Sequence, residues 1–367
     1  MLPAMRQARG LSLLGALALL VLAGGAPLAA DSSITRERVV TKLADGVYEI
    51  RHQDPLYGWV NGNTTVVVGS REALVVDACS VAWAAREDIA EIRRWTDRPV
   101  RYLLNTHWHH DHSAGNRDYL EAFPGLAIVA HVDTRRMLDA TSPHVPAQVL
   151  AQAAEARARY EKQLATGKGD DGKPLSPQGR TLAEQQLAAL PAVVADAKSW
   201  IYQAPTLTFE RELVIDLGGR EVRIAHLGRG NTGGDAIAYL PKEKILIAGD
   251  LVVHPVPYTF DGYPAEWIQT LDRLAALDAE TIVPGHGEVL HDKKYVHQLR
   301  DLMASVVRQV EAALAANPDV ALDEVKKKVD VAASRDAILG DDRRDAPFFD
   351  YAMGSLVELA YHEAKQR

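Results

Sequence analysis

Cysteine is almost missing from this chain of 367 residues: there is one, Cys79. No intramolecular disulfide is therefore possible, and a chain of this size has no need of one. Cys79 is expected to lie buried beside a strand end. Basic tracts are missing too. The formal charge is -8 and no run of Lys and Arg stands out, so nucleic acid is not an expected substrate. Beyond the N-terminus no apolar run reaches the ~20 residues a membrane span needs. There is no internal repeat, and no low-complexity tract beyond alanine-rich helices. Nor is apolar material scarce: at 47% hydrophobic, evenly spread, the chain is not disordered and fills a large core. The length permits one large α/β domain with additions, or two domains.

The N-terminus stands apart. Arg6 and Arg9 precede an apolar run from Leu11 to Leu22, and Leu28-Ala29-Ala30 leads into Asp31-Ser32-Ser33. A basic start, a short apolar stretch and a small-residue exit predict a secretory signal peptide over residues 1–30. An uncleaved anchor is the other reading, but the run is short for one. Loss of Arg6 and Arg9 takes the formal charge from -8 to -10. The mature chain is then expected in the periplasm or secreted, with no stable membrane association. Composition says nothing of oligomeric state.

Along the rest, 37–52 predicts two short strands with Gly46 at the turn, and Thr64–Val68 and Ala73–Val76 a hairpin. Apolar residues recur at helical spacing over 82–95. Val100–Leu104 is a buried strand that ends at a histidine cluster, with a short helix over 115–122 and a strand over Leu126–Ala130 after it. The Ala-, Gln-, Glu- and Arg-rich stretch from about 146 to 200 predicts two helices around the polar loop Gly167–Gly179. With its flanks, about 141–205, it is a helical hairpin inserted into the main fold, as structural padding, a lid or a dimer contact. Strands return at Leu213–Ile215, Glu221–Ala225, Ala236–Leu240, Lys244–Ala248 and Thr281–Val283, with a helix over Pro264–Leu277. From about 291 to 367 the chain is a helical extension. Hairpins beside single crossovers favour an α/β sandwich with mixed sheets over a doubly wound parallel sheet.

The chemistry concentrates in His107-Trp108-His109-His110-Asp111-His112. Five ionisable residues in six positions, on a loop after a strand, suit a metal centre, because imidazole and carboxylate are typical ligands of zinc and its neighbours. A solvated polar loop has no use for such a set. Asp250 follows a buried strand, where a charge must be paired or metal-bound. His286 lies in Pro284-Gly285-His286-Gly287, a tight turn that aims one side chain.

Asn105-Thr106-His107-Trp108-His109-His110-Asp111-His112 resembles the signature of the metallo-β-lactamase fold superfamily. Four further landmarks follow that superfamily's order: Val75-Val76-Asp77, Gly228–Asp235, Ala248-Gly249-Asp250 and Val283–Gly287. The resemblance runs from about residue 37 to 290. It implies a four-layer αβ/βα sandwich with mixed β-sheets over 31–290, interrupted by the helical hairpin and followed by the helical C-terminal extension. It also implies roles. His107 and His109 bind a first metal, and Asp111, His112 and His286 a second. Asp250 bridges both or binds the second alone, and Asp77 supports the site from behind.

One landmark departs. The third normally supplies a histidine to the first metal, and here that place holds Asn231. A carboxamide oxygen is a weaker zinc ligand than imidazole. Asn231 then binds the first metal weakly, or a single metal sits at Asp111, His112, Asp250 and His286, or a neighbour such as His226 or His254 takes its place. Weakened first-site binding is preferred, with one or two Zn2+ per chain and Fe or Mn as alternatives.

A divalent metal lowers the pKa of its water to ~7 and polarises the oxygen under attack. Asp111 is the expected catalytic group, orienting that water or moving its proton. The expected function is an exported metal-dependent hydrolase that cleaves an ester, thioester, amide or lactam bond of a small molecule. A dedicated periplasmic β-lactamase is one alternative. It loses ground to Asp250, because the resemblance leads one to expect cysteine or serine there in dedicated lactamases. A non-catalytic metal- or ligand-binding protein of the same fold is another. Tyr57-Gly58-Trp59 is a candidate aromatic flap, Tyr258 and Phe260 are candidate pocket residues, and Arg229 is a surface salt bridge or a substrate anchor.

Overall fold

The computed structural model describes residues 38–52, 61–170, 172–341 and 345–367. The expected signal peptide and the aromatic flap at Tyr57–Trp59 lie outside the described residues. Two sheets face each other. The first runs β1 (Arg38–Ala44), β2 (Val47–His52), β3 (Thr64–Val68), β4 (Ala73–Val76), β5 (Val100–Leu104), β6 (Ala127–His131), β7 (Leu207–Phe209), in that spatial order. It is antiparallel up to β4 and parallel from there on. The second is ordered β12 (Thr281–His286), β11 (Ile245–Val253), β10 (Ile237–Leu240), β9 (Glu221–Ala225), β8 (Glu212–Asp216), with only the β11–β12 pair parallel.

Strand periodicity sorts the side chains into layers. In β3 and β4, Val67, Leu74 and Val76 point to the space between the sheets, while Val66 and Val75 point outward. The outward set packs under α1 (Ala82–Trp95) and, after α2 (His110–Ser113), under α3 (Asn116–Ala122), through Ala85, Ile89, Ile92 and Tyr119. In the second sheet, Ala238, Leu240 and Ile247 face the first sheet, while Ile237, Tyr239 and Leu246 face the C-terminal helices. The strands β3, β4, β10 and β11 read as near-continuous apolar runs because both faces are covered, while β1, β8 and β9 keep exposed residues. The product is the mixed-sheet α/β sandwich, helix–sheet–sheet–helix.

Between β6 and β7 lie α4 (Val132–Thr141), α5 (Val145–Thr166) and α6 (Pro177–Ser199). Helix α5 stops at Gly167, whose φ is +66°, and α6 starts at a Ser176 cap with Pro177 in its first turn. The pair has small cores of its own, such as Ala153, Ala156, Tyr160, Ala183 and Leu190. It docks on the main body where Trp200 Nε1 donates to the Ala114 carbonyl at 2.8 Å and the Ala82 N–H donates to Asp196. Helix α4 is not among the expected elements. Its cap is His131, whose ring accepts from the Asp133 N–H, a residue type that gives no start signal in a sequence.

The far layer holds α7 (Pro264–Ala276), α8 (Lys294–Ala316), α9 (Leu322–Lys328), α10 (Ala332–Leu339) and α11 (Ala346–Gln366). Trp267, Leu271, Leu299, Met303, Val306, Phe349 and Leu356 bury their faces there. The helical extension thus completes a core layer. No helix among the described residues is long and apolar enough to cross a membrane.

Two expectations of detail change. Asp250 does not follow its strand but lies inside β11, which runs on to Val253 through register shifts at Gly249. His286 is the last residue of β12, not part of a turn; the turn comes one residue later, at Gly287. In both cases parallel β11–β12 pairing carries the backbone past the Gly and Pro that read as breakers.

Candidate metal centre

Strand β5 delivers Asn105 to His109 to the rim of the gap between the sheets, and the chain then turns into the one-turn helix α2 with Asp111 and His112. Asp77, just past β4, anchors that turn. It accepts from the Thr106 N–H at 2.8 Å, from Thr106 Oγ1 at 2.8 Å and from His112 Nδ1 at 2.7 Å. Asp77 and His112 are both buried. Asp77 thus fixes the ring of His112 so that Nε2 points the other way.

His107 is fixed by the same hydroxyl. Thr106 Oγ1 has one proton and gives it to Asp77, so at 3.0 Å it can only accept from His107 Nδ1. The lone pair of His107 is then on Nε2. That atom is buried and has no hydrogen-bond partner, as are Asn231 Oδ1 and Asp250 Oδ1. Buried polar atoms in native proteins are nearly always satisfied. Unsatisfied atoms on neighbouring ligand-type residues fit a cation held between them.

The structure gathers His107, His112 and Asp250 into one group whose ligand atoms lie within 4.8 Å of one another, and Asp111, His112 and His286 into another. His112 Nε2 stands 3.1 Å from His286 Nε2, 3.3 Å from Asp250 Oδ1 and 3.5 Å from Asp111 Oδ2. Asp111 Oδ2 is 3.0 Å from His286 Nε2. Burial opposes charge on all of these groups. For His112 it is outweighed by Asp250, Asp111 and Asp77, which hold its pKa well above the usual value. For Asp111 it is outweighed by His112 and His286, which hold the carboxyl well below the usual range. Burial, with His112 beside it, pushes His107 down and keeps it neutral.

Asn231 lies beside Asp250, its Nδ2 donating to Oδ2 at 3.3 Å. Its loop is pinned by Asp235, which accepts from the N–H of Gly230 and from the N–H and hydroxyl of Thr232. Burial pushes the Asp235 carboxyl up to about 7. His109 packs edge-on against His107, with ring centroids 4.5 Å apart, and its Nε2 faces Asp261 Oδ2 at 3.3 Å. The metal-suited groups do not include it.

The proposed substitutes for Asn231 are elsewhere. His226 stacks on His131 and faces the Asp235 carbonyl, and His254 packs on Tyr295. Arg229 pairs with Glu266 and covers the Tyr263 ring, which is the surface salt bridge rather than an anchor. Tyr258 lies 6.4 Å from His286, ring to ring, and Phe260 is beside it.

Two residues that sequence reasoning missed complete the site. Asp261 orients His109; it sits in an irregular stretch with no motif. Asn63 donates to the carbonyls of Pro284 and Gly287, and its N–H to that of Gly285, so it fastens the end of β12. Gly285 is required by close approach: a Cβ there would lie 1.9 Å from Asp250 Oδ1.

The comparisons agree with this geometry. The family model of the metallo-beta-lactamase superfamily matches residues 57–286. The chain is 24% identical over 271 residues to a linear primary-alkylsulfatase from a Pseudomonas species, a match that takes in 69% of this chain and 48% of that protein. It is 47% identical over 53 residues to a hydroxyacylglutathione hydrolase of Gloeobacter violaceus, taking in 13% of this chain and 21% of that one. The chain thus spans about half the length of the alkylsulfatase, and less of the other. Among solved structures, a metallo-beta-lactamase from Pontibacter korlensis superposes with a TM-score of 0.52 at 19% identity, over 73% of this chain and 99% of that one. At that identity the likeness speaks for the fold. Mixed sheets, ordered landmarks and a family match across most of the two-sheet body place this chain in the metallo-beta-lactamase superfamily.

Proposed function

We propose that the protein is a metal-dependent hydrolase of small-molecule esters or thioesters, sulfate esters included, and that it works outside the cytoplasm. The observation that carries the reading is the convergence of orphaned ligand atoms, His107 Nε2, Asn231 Oδ1 and Asp250 Oδ1, beside the His112–His286–Asp111 group.

His107 and Asn231, with His109 at the flank, would hold a first ion. Asp111, His112 and His286 would hold a second, with Asp250 between them. The donors are imidazole nitrogens and oxygens, which suit zinc, and also iron or manganese. A bound divalent ion supplies Lewis acidity, bringing water acidity towards neutrality and drawing electron density from the bond under attack. The chain's own residues do the rest. Asp77 and Thr106 hold the two imidazoles in one tautomer each. Asp111 is the most open of the central carboxylates, its side chain 22% exposed, and it is held in the charged form, so it would orient a water as a hydrogen-bond acceptor.

The wall beside His286 is aromatic. Tyr258 packs against Phe260 and against Phe348, and Phe260 against Tyr351; the last two come from α11. Such a wall suits an apolar alkyl or acyl part of the substrate. The likeness to an alkylsulfatase and to a hydroxyacylglutathione hydrolase supports ester-type bonds, as does an aspartate at position 250. Export rests on the N-terminal pattern alone.

The test is turnover of activated esters, alkyl sulfates and a chromogenic cephalosporin after loading with zinc, manganese or iron. Asp111→Asn and His112→Ala are expected to lose ~10³-fold or more in kcat/KM. Full activity in either variant, properly folded, sinks the reading. Preference for the cephalosporin would replace the ester assignment by a lactamase.

A further inference from the structure

A second cluster of ligand-type side chains lies outside the centre described above. His52 ends β2, Cys79 follows β4, and Asp88 sits in the second turn of α1. All three are buried, and their ligand atoms lie within 4.8 Å of one another. His52 Nε2 is 3.0 Å from Asp88 Oδ2, Cys79 Sγ is 3.2 Å from the same oxygen, and Sγ and Nε2 are 3.6 Å apart.

We propose that His52, Cys79 and Asp88 form a further metal site, structural in role, for a thiophilic divalent ion such as zinc. The spacing is the first support. Zinc bound tetrahedrally at ~2.3 Å from sulfur and ~2.0–2.1 Å from nitrogen and oxygen sets those atoms roughly 3.3–3.6 Å apart. The observed separations fall within a few tenths of an ångström of that. The backing of each ligand is the second. His52 Nδ1 faces the Gly62 carbonyl at 2.9 Å, an acceptor only, so Nδ1 carries the proton and Nε2 points inward. Asp88 Oδ1 is held by the Arg38 guanidinium at 3.1 Å and also lies 3.1 Å from His52 Nε2, while Oδ2 meets both His52 and Cys79. Thr64 Oγ1 is 3.6 Å from Sγ. The third support is charge. A divalent ion replaces the thiol proton and the proton between imidazole and carboxylate, so the cluster keeps its net charge beside Arg38.

A nucleophilic thiol is the competing use, and burial rules against it: Cys79 is 0% exposed and a substrate has no approach. A structural ion has a clear task. It ties β2 and α1 to the loop whose Cys79 carbonyl accepts from Ala114 and Gly115, next to α2. Through His52 it also holds Gly62, whose N–H donates to the Asp111 carbonyl. The site thus braces the floor of the hydrolytic centre without taking part in it.

Cobalt(II) loading of the whole chain tests this apart from activity. The main centre offers nitrogen and oxygen donors only, and the chain has one cysteine. A thiolate-to-cobalt charge-transfer band in the near ultraviolet can therefore come only from Cys79. The expected result is that band in the parent protein, lost in Cys79→Ser and in Asp88→Asn, with visible cobalt bands from the main centre kept and one equivalent of zinc fewer per chain. Visible bands without any charge-transfer band in the parent protein overturn the site while leaving the hydrolytic reading intact. Absence of every cobalt band, with no zinc retained, overturns both. The parent spectrum decides even if Cys79→Ser does not fold.

Discussion

Around the first sheet, the ligand-type residues come from one six-residue stretch, His107–His112, and nearly every ring there has its back nitrogen fixed: His107 by Thr106, His112 by Asp77, His109 by Asp261. Around the second sheet, Asn231, Asp250 and His286 come from a loop and two strands, and Asn231 Oδ1 and Asp250 Oδ1 accept no hydrogen bond, although the His112 ring lies 3.3 Å from Asp250 Oδ1. The first half is preorganised by hydrogen bonds that exist whether or not an ion is bound. The second is held by tight backbone approach, as at Gly285 against Asp250, and would be completed by an ion. A substitution such as histidine to asparagine is therefore easier to accommodate in the second half. It changes one donor without undoing a network.

This contrast breaks most readily at Asp77. Asp77→Asn keeps the shape but cannot accept from both Thr106 and His112 as a carboxylate does, so both rings lose their fixed tautomers. A loss of ~10–100-fold in metal affinity is expected, typical for the group behind a ligating histidine. Competition with a chelator, followed by zinc analysis, measures it. Unchanged affinity would mean that the first half owes its order to the ion as well. The second half is probed by Asn231→His. A stronger donor at an otherwise intact site is expected to raise first-site affinity ~10-fold, within the range that a single group commands, and to bring metal content nearer to the full count. Elemental analysis of parent and variant side by side, both as Cys79→Ser so that the cysteine site does not add to the count, reads this directly. No gain would mean that Asn231 already serves as a full ligand, or that its place is too narrow for imidazole.

The same contrast explains what was legible in the sequence. The cluster at 107–112 is contiguous, so residue types alone point to a metal, and the strand before it is a plain apolar run. The sandwich is read from hairpins beside single crossovers; that successive residues of β3, β4 and β10 serve different cores is not visible in their near-continuous apolar runs. Asp250 and His286 were placed by landmarks, but their strand membership was not. Parallel pairing of β11 with β12 is a long-range fact that overrides Gly249 and Pro284. Asp261 and Asn63 act through single side-chain bonds from irregular segments, and no local pattern marks such residues. The His52–Cys79–Asp88 cluster was equally hidden, since its members come from a strand, a loop and a helix. Cys79 read as a buried residue near a strand end, which is where it is, but its company was not visible.

A further contrast concerns a buried acid that neither half uses. Glu49, in the middle of β2, is 1% exposed, and its Oε1 has no hydrogen-bond partner. Asp111 and Asp250 are held below the usual carboxylate range because His112 and His286 outweigh burial. Among the described residues no histidine forms an ion pair with Glu49. Burial pushes it up to about 7, only partly offset by a hydrogen bond with Thr41 and by Arg51 and His52. Between the ordinary glutamate value and about 7, the native chain keeps the Glu49 proton that the unfolded chain has lost. Stability from this group is thus present in acid and falls as pH rises through that window. Glu49→Gln removes the dependence. It is expected to match the parent near pH ~5 and to exceed it near pH ~8 by about 1–3 kcal/mol. Urea unfolding of both proteins at the two pH values checks this. An equal difference at both would show that the carboxylate is charged throughout, and that Arg51 and His52 do for Glu49 what the two histidines do for Asp111.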